Sequence, residues 1–334
     1  MPEADELAMK ARVAEILNRH AAVGLAVGVV RNGSLEFFDA HGVADLASNT
    51  PVTEDTVFRI ASITKTFTAV AGMQLREQGR IDLDAPASDY LRAYRLIPAR
   101  ASFRPATVRD LLTHTAGVPQ MPHPARALMT LFAGSALTEG GESYDLGQPL
   151  PTLAEYYGGG LRLAAEPGTR FTYGDHGFAT LGQIVEDVSG KPLDRYFREH
   201  IFEPLGMAGT DLLRSDLVGS RLATGYKLRS RGVTAVTDRQ WVTPGASSIY
   251  STRGTWPATS RLLPAAAPTN TAEWSIRRRW PPCSSPTTRP IPGCRASGWR
   301  SCGAISARIS LSSTRASFPA STRRSGWLPA TGSG

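Results

Sequence analysis

The sequence predicts an α+β protein of two lobes sharing one cleft, the first an antiparallel sheet flanked by helices and the second all helical. Three observations predict it. Asn32-Gly33 separates two apolar runs, which marks a β-hairpin. Apolar residues at helical spacing run from about Ser62 to Gln78. From about residue 80 to 225 the chain then carries helix caps and stops with few strand signals.

The elements follow in order. Met9, Val13, Ile16, Leu17 and His20 repeat at helical spacing, and Val23 to Val30 is a near-continuous apolar strand. Leu35 to Phe38 returns as its hairpin partner, and Thr53 to Ile60 leads into the helix from Ser62, with Gly79 as its stop. Thr107 with Asp110 caps a helix through Leu112 that ends near Gly117. Phe178, Leu181, Ile184 and Val185 mark another helix, ending at Gly190, and Leu193 to Ile201 a third. This places a sheet lobe at about 1–80 and 226–253 and a helical lobe at about 81–225. Loops such as 120–160 carry no readable structure.

Composition breaks near Arg253. Of 37 Lys+Arg and 29 Asp+Glu, residues 1–253 hold 26 and 28, whereas residues 254–334 hold 11 Arg, no Lys and a single acid, Glu273. The formal charge of +8 therefore splits into about −2 and about +10. All three cysteines lie in the tail, which contains no Val, Tyr, Asp, Lys, His, Gln or Met. Ten prolines among Ser, Thr and Arg bury too little apolar surface to offset chain entropy, so the tail is expected to be disordered. Cys283, Cys294 and Cys302 match no zinc spacing.

The genetic code offers a further reading of the tail. If one base is missing from a cytosine run at the codons for Thr252 and Arg253, Ser251 to Ser260 becomes S-T-P-R-D-M-A-R-Y-L, given G/C-rich codons at most positions. That is a capped helix start followed by an amphipathic run. The same shift turns Ser312 through Ala320 into E-H-Q-G-I-L-P-G. On this reading the domain ends at residue 253 and residues 254–334 are out of frame.

The residues from Met1 to Lys10 are acidic with no apolar core, and no stretch reaches the roughly 18 apolar residues of a membrane span. The expectation is a cytoplasmic protein without a signal peptide or membrane segment.

The chemistry begins at Ser62-Ile63-Thr64-Lys65. Residues at i and i+3 on a helix face the same way, so the hydroxyl and the ammonium stand one turn apart. At a helix start, free backbone N–H groups favour a developing anion. Alone, Ser-x-x-Lys is better explained by a capping serine and a solvated lysine; its neighbours decide. Phe58-Arg59-Ile60-Ala61-Ser62-Ile63-Thr64-Lys65-Thr66-Phe67-Thr68 resembles the nucleophile segment of the serine β-lactamase and penicillin-binding-protein superfamily, in its class C and esterase-like branch. Leu111-Leu112-Thr113-His114-Thr115-Ala116-Gly117 resembles that group's Leu-Leu-x-His-Thr-Ser-Gly loop. Pro167 to Phe178 resembles its Tyr-x-Asn segment, and Ile201 to Met207 the segment that follows.

The resemblance implies a β-lactamase-like fold with an incomplete sheet, and acyl transfer through a serine ester that water later hydrolyses. It makes Ser62 the acylated nucleophile, Lys65 the partner that positions it and helps deprotonate it, and Tyr173 the second base. It implies no metal and no organic cofactor. Asp175 and His176 are the expected substrate-binding residues. Two departures stand out. Asp175 replaces the Asn of Tyr-x-Asn, and an ionised carboxylate cannot donate to a substrate carbonyl, which favours an ester or a cationic substrate. The late Lys-Thr-Gly or His-x-Gly strand, source of an oxyanion N–H, has no match after residue 253; H-Q-G fills that place in the shifted frame. The chain as written is therefore expected to be impaired.

His20, His41, His114, His123, His176 and His200 show no ligand spacing, and only His176, beside Asp175, is placed near the cleft. Gly158-Gly159-Gly160 lacks the Lys-Ser/Thr of a phosphate loop, and no Gly-x-Ser-x-Gly elbow is present. The leading function is a serine hydrolase acting on a small-molecule ester, β-lactam or peptide amide, without nucleic acid. The alternatives are a catalytically dead ligand-binding homologue and, last, a nucleic-acid-binding protein using the basic tail, whose arginines lack periodicity and interleaved aromatics. Oligomeric state is left open.

Overall fold

Asn32 and Gly33 both take left-handed backbone, φ 53° and 75°, the pair that a two-residue hairpin turn demands. They join β1 (Gly24–Arg31) to β2 (Ser34–Asp45) in an antiparallel ladder with a bulge between Val29 and Val30. β2 extends well past the expected Phe38 and pairs with β3 (Thr50–Pro51). Before the hairpin comes α1 (Glu3–Arg19), which has no buried residue; Leu7 is 62% exposed. The computed structural model describes residues 2–120, 142–230 and 232–252. The chain divides into two compact units, Met1–Trp274 and Ser275–Gly334, and every described residue lies in the first. The expectations for residues 254–334, including the cysteines and the frame change, lie outside the described residues.

A second antiparallel sheet carries the site. β12 (Tyr250–Thr252) is its centre, flanked by β4 (Val57–Arg59) and β8 (Thr210–Asp211). From β4 the chain passes through a 3-10 turn, Ala61–Ile63, into α2 (Thr64–Glu77). The sequence predicts one helix from Ser62; the chain instead makes a 3-10 turn first, behind a left-handed Ala61 (φ 45°), with Thr64 N–H reaching back to Ala61 O. α2 ends as expected. Gly79 is left-handed, its N–H bonds to Arg76 O and that of Arg80 to Leu75 O, a paired stop that satisfies the last carbonyls.

The helical part follows. β5 (Arg95–Ile97) pairs in parallel with β7 (Gly160–Arg162). α3 (Val108–Leu112) starts with the expected reciprocal cap of Thr107 and Asp110. β6 (Ser143–Asp145) precedes α4 (Leu153–Tyr156), which has a second such cap in Thr152 and Glu155. α5 (His176–Ser189) ends at left-handed Gly190, and α6 (Leu193–Phe197) continues into a wider turn at Arg198–Phe202. α5 is the central helix: Leu181, Ile184 and Val185 are fully buried with Phe67, Ala71 and Leu75 of α2. Burying a leucine or phenylalanine side chain is worth about 1.5–3 kcal/mol, so this packing fixes α2 and α5 face to face.

After α7 (Asp216–Gly219), β9 (Gly225–Arg229) and β10 (Gly232–Val236) pair with each other. β11 (Arg239–Trp241) pairs with β6 and leads through α8 (Pro244–Ser247) to β12. Among the described residues none of these strands joins β1–β2–β3, so the expected single sheet lobe consists here of separate small sheets. α8 sits tight against α5. A Cβ on Gly245 would lie 3.4 Å from Gly182 Cα and 3.3 Å from Phe178 O.

Candidate active site

Three side chains in the first turns of α2 clip it to the segment 245–249. Thr64 Oγ1 accepts from Ile249 N at 3.1 Å, Thr68 Oγ1 donates to Gly245 O, and Lys65 Nζ donates to Ala246 O at 3.2 Å. Lys65 is buried, with two further acceptors: Ser62 Oγ at 3.1 Å and Asp175 Oδ1 at 2.5 Å. An ammonium has three hydrogens, and each has a partner here. Desolvating such a charge is costly unless it is fully bonded, so the three acceptors are what allow a lysine at this depth. Ser62 itself is exposed at the mouth of the site.

Tyr173 stands beside them, 44% exposed, its ring centroid 4.9 Å from Lys65 Nζ. Behind it is His114, whose ring centroid lies 4.6 Å from that of Tyr173 and 4.9 Å from that of Phe178. His114 is held left-handed (φ 58°) because its loop is stitched to the segment 164–172 that precedes Tyr173. Thr172 N bonds His114 O, Gly168 N bonds Thr115 O, and Ala164 N bonds Gly117 O, at 2.7–2.8 Å. Gly117 belongs there because a Cβ would fall 2.1 Å from Ala165 O. Burial first, and the Lys65 charge second, push the His114 imidazole below its usual range, opposed by Asp175. His114 thus sits in the cleft with its charged form disfavoured.

The structure thus brings Ser62, Lys65, Tyr173 and Asp175 together. Asp175, expected to contact substrate, points one oxygen at Lys65. His176, also expected to contact substrate, is 0% exposed, with Tyr157 Oη 2.7 Å from Nδ1 and Glu142 Oε1 2.7 Å from Nε2. Neighbours on a helix are rotated by about 100°, so when Asp175 faces α2, His176 must face elsewhere. The cleft histidine is His114. Its signal was present in the Leu-Leu-Thr-His-Thr-Ala-Gly segment, whereas the Ala246 carbonyl, being main chain, carries no residue-type signal.

Among the described residues no three His, Cys, Asp or Glu side chains group as metal ligands, and no helix is long and apolar enough to cross a membrane. A cavity of about 780 Å³ lies to one side, lined by Arg59, Leu146, Arg214, Trp241 and Tyr250 but by none of the four site residues.

Residues 9–290 match the family model described as Beta-lactamase. The chain belongs to the beta-lactamase family. Within it, the esterase EstB of Burkholderia gladioli is 32% identical over 200 residues, 58% of this chain and 48% of that protein. A beta-lactamase of Pseudomonas fluorescens is 28% identical over 234 residues, 70% of this chain and 56% of the other. The chain spans about half the length of the curated relatives it matches. The fold is that of EstCE1, described as a hydrolase with promiscuous acyltransferase activity (TM-score 0.63, 24% identity, 78% of this chain and 72% of that one). It is shared with an octameric penicillin-binding protein homologue from Pyrococcus abyssi (TM-score 0.60, 25% identity, 78% and 56%). The beta-lactamase match runs past the composition break near Arg253.

Proposed function

We propose that this chain carries the acylation site of a serine hydrolase, with Ser62 as nucleophile and a neutral ester as the favoured substrate class. The observation that supports it most is the Lys65 Nζ to Ser62 Oγ contact of 3.1 Å at an exposed serine. Ser62 Oγ attacks the carbonyl carbon and its proton passes to the Tyr173 oxygen, which takes part as the phenolate and becomes the phenol, while Lys65 Nζ remains the donor to Ser62 Oγ. The tetrahedral oxyanion collapses, the alcohol leaves with that proton, and water later cleaves the Ser62 ester. Asp175 supports the ester preference: it places a carboxylate at the ammonium, where a substrate carboxylate would otherwise be attracted.

The rate of this chain rests on its tail. In this reading residues 254–334 are out of frame and an oxyanion donor is missing, which costs on the order of 10² to 10³ in rate. Sequencing the source DNA across codons 245–260 tests the frame; an unbroken frame removes that part. Labelling with a fluorophosphonate tests the site, in the full chain and in a frame-restored one, each beside Ser62→Ala. Absence of label in the restored chain would overturn the hydrolase reading, and equal rates in both chains would overturn the impairment.

A second reading is a ligand-binding homologue without turnover. The Lys65–Asp175 ion pair favours it, because it holds the lysine's charge on a carboxylate of the protein rather than on a reacting group. Equal ligand affinity before and after Ser62→Ala, with no turnover in either, would select it.

A further inference from the structure

His176 is a buried imidazole with no place in the acyl-transfer chemistry, yet both of its nitrogens are bonded at 2.7 Å. Glu142 takes Nε2 and Tyr157 takes Nδ1, while the ring of Tyr156 stacks on the imidazole at 13°. Burial drives the Tyr157 phenol well above its usual range, so it stays a neutral partner. From the same turn, His176 O accepts Thr180 Oγ1 at 2.8 Å, and Thr180 Oγ1 in turn accepts Tyr94 Oη at 2.9 Å. Such a polar cluster is a poor device for stability, since apolar residues of equal volume do as well or better. Its merit is that each member has one allowed place.

That place is between the two arms that hold Lys65. His176 directly follows Asp175, the carboxylate on Nζ. Glu142 O accepts Val242 N at 2.9 Å, and Val242 leads into α8, whose Ala246 carbonyl is a further acceptor on Nζ beside Asp175 and Ser62. The Glu142–His176 bond therefore ties one arm to the other behind the ammonium.

Resting on the Ser62 reading above, we propose that Glu142 and His176 are positioning residues: their bond fixes Asp175 and Ala246 O as a pair, and so keeps the Lys65 ammonium in front of Ser62. They touch neither Ser62 nor Lys65 in any recorded hydrogen bond and act through Asp175 and α8.

The test uses the full chain with 15N-labelled lysine, which has only Lys10, Lys65, Lys191 and Lys227 to resolve. Lys65 is assigned by Lys65→Arg. In the parent its caged ammonium hydrogens exchange slowly and give a signal. In Glu142→Gln and in His176→Gln that exchange speeds up about tenfold, the size of coupling seen within one bonded network, while backbone amides of α5 such as Leu181 keep their rates. Fluorophosphonate labelling of Ser62 slows by a similar factor, and the loss disappears in an Asp175→Asn background. A purely structural role would lower thermal stability and leave the Lys65 hydrogens protected; that result, or His176→Gln losses that simply add to those of Asp175→Asn, overturns the proposal. If His176→Gln does not fold, Glu142→Gln, nearer the surface, carries the test. If Ser62 is never labelled the hydrolase reading fails, and lysine exchange still decides the bracket.

Discussion

Asp175 Oδ1 lies 2.5 Å from Lys65 Nζ, joining the start of α5 to the first turn of α2. The contact sets the charge of the cleft. Lys65 and Asp175 together present little net charge to a ligand, whereas an asparagine would leave the ammonium's field uncancelled.

Asp175→Asn should therefore shift selectivity toward substrates that carry a carboxylate. The ratio of Ser62 labelling rates, fluorescent penicillin over neutral fluorophosphonate, is expected to rise about tenfold, the order of one screened charge at this range. An unchanged ratio would remove Asp175 as the selector.

His114 should make the fold acid-sensitive. Its folded value is depressed, so the unfolded chain binds more protons as pH falls below the ordinary 6.5. Stability from this group is whole above 6.5 and declines until the folded value is passed. The loss between pH 7 and pH 5, read by urea unfolding, is expected to be smaller in His114→Gln than in the parent.

Asp110 acts at lower pH. Desolvation opposes its charge, but bonds from the Arg104 guanidinium and from Thr107 outweigh it and hold the carboxyl below its ordinary 3.8. Its stabilisation is present above 3.8 and is lost as pH falls through the folded value. Asp110→Asn should cost about 1–3 kcal/mol at pH 7 and flatten the profile below pH 4. Parallel urea profiles for the two proteins would contradict this.

Gly117→Ala meets two penalties at once. The backbone is left-handed (φ 75°), and the new Cβ would overlap the main-chain oxygen of Ala165, which has no flexible tip to swing aside. A loss of at least about 2 kcal/mol is expected. Because this loop backs Tyr173, Ser62 labelling should slow beyond what the unfolded fraction explains.

Local rules carried much of this fold into view. The Asn32-Gly33 turn, the Thr107–Asp110 cap and the Gly79 and Gly190 stops each depend on one or two residue types, and each stands where the sequence puts it. The Thr152–Glu155 cap obeys the same rule and was legible inside a segment read only as loop. What stayed hidden was direction. Adjacency in sequence suggests one patch of Asp175 and His176, whereas the start of α5 turns them to different neighbours. Nor does sequence reveal main-chain acceptors such as Ala246 O, or the pairing of Lys65 with a carboxylate 110 positions away.

Among the described residues four without a glycine's freedom are left-handed: Asn32, Asn49, Ala61 and His114. The two asparagines occupy surface turns, where that residue is at ease. Ala61 adjoins the serine and His114 supports the tyrosine. Heat resistance and reactivity are thus set against each other at two known addresses. A mutant library screened only for survival at high temperature should collect glycine or asparagine at 61 and 114, and its winners would be those least constrained to keep Ser62 and Tyr173 in register.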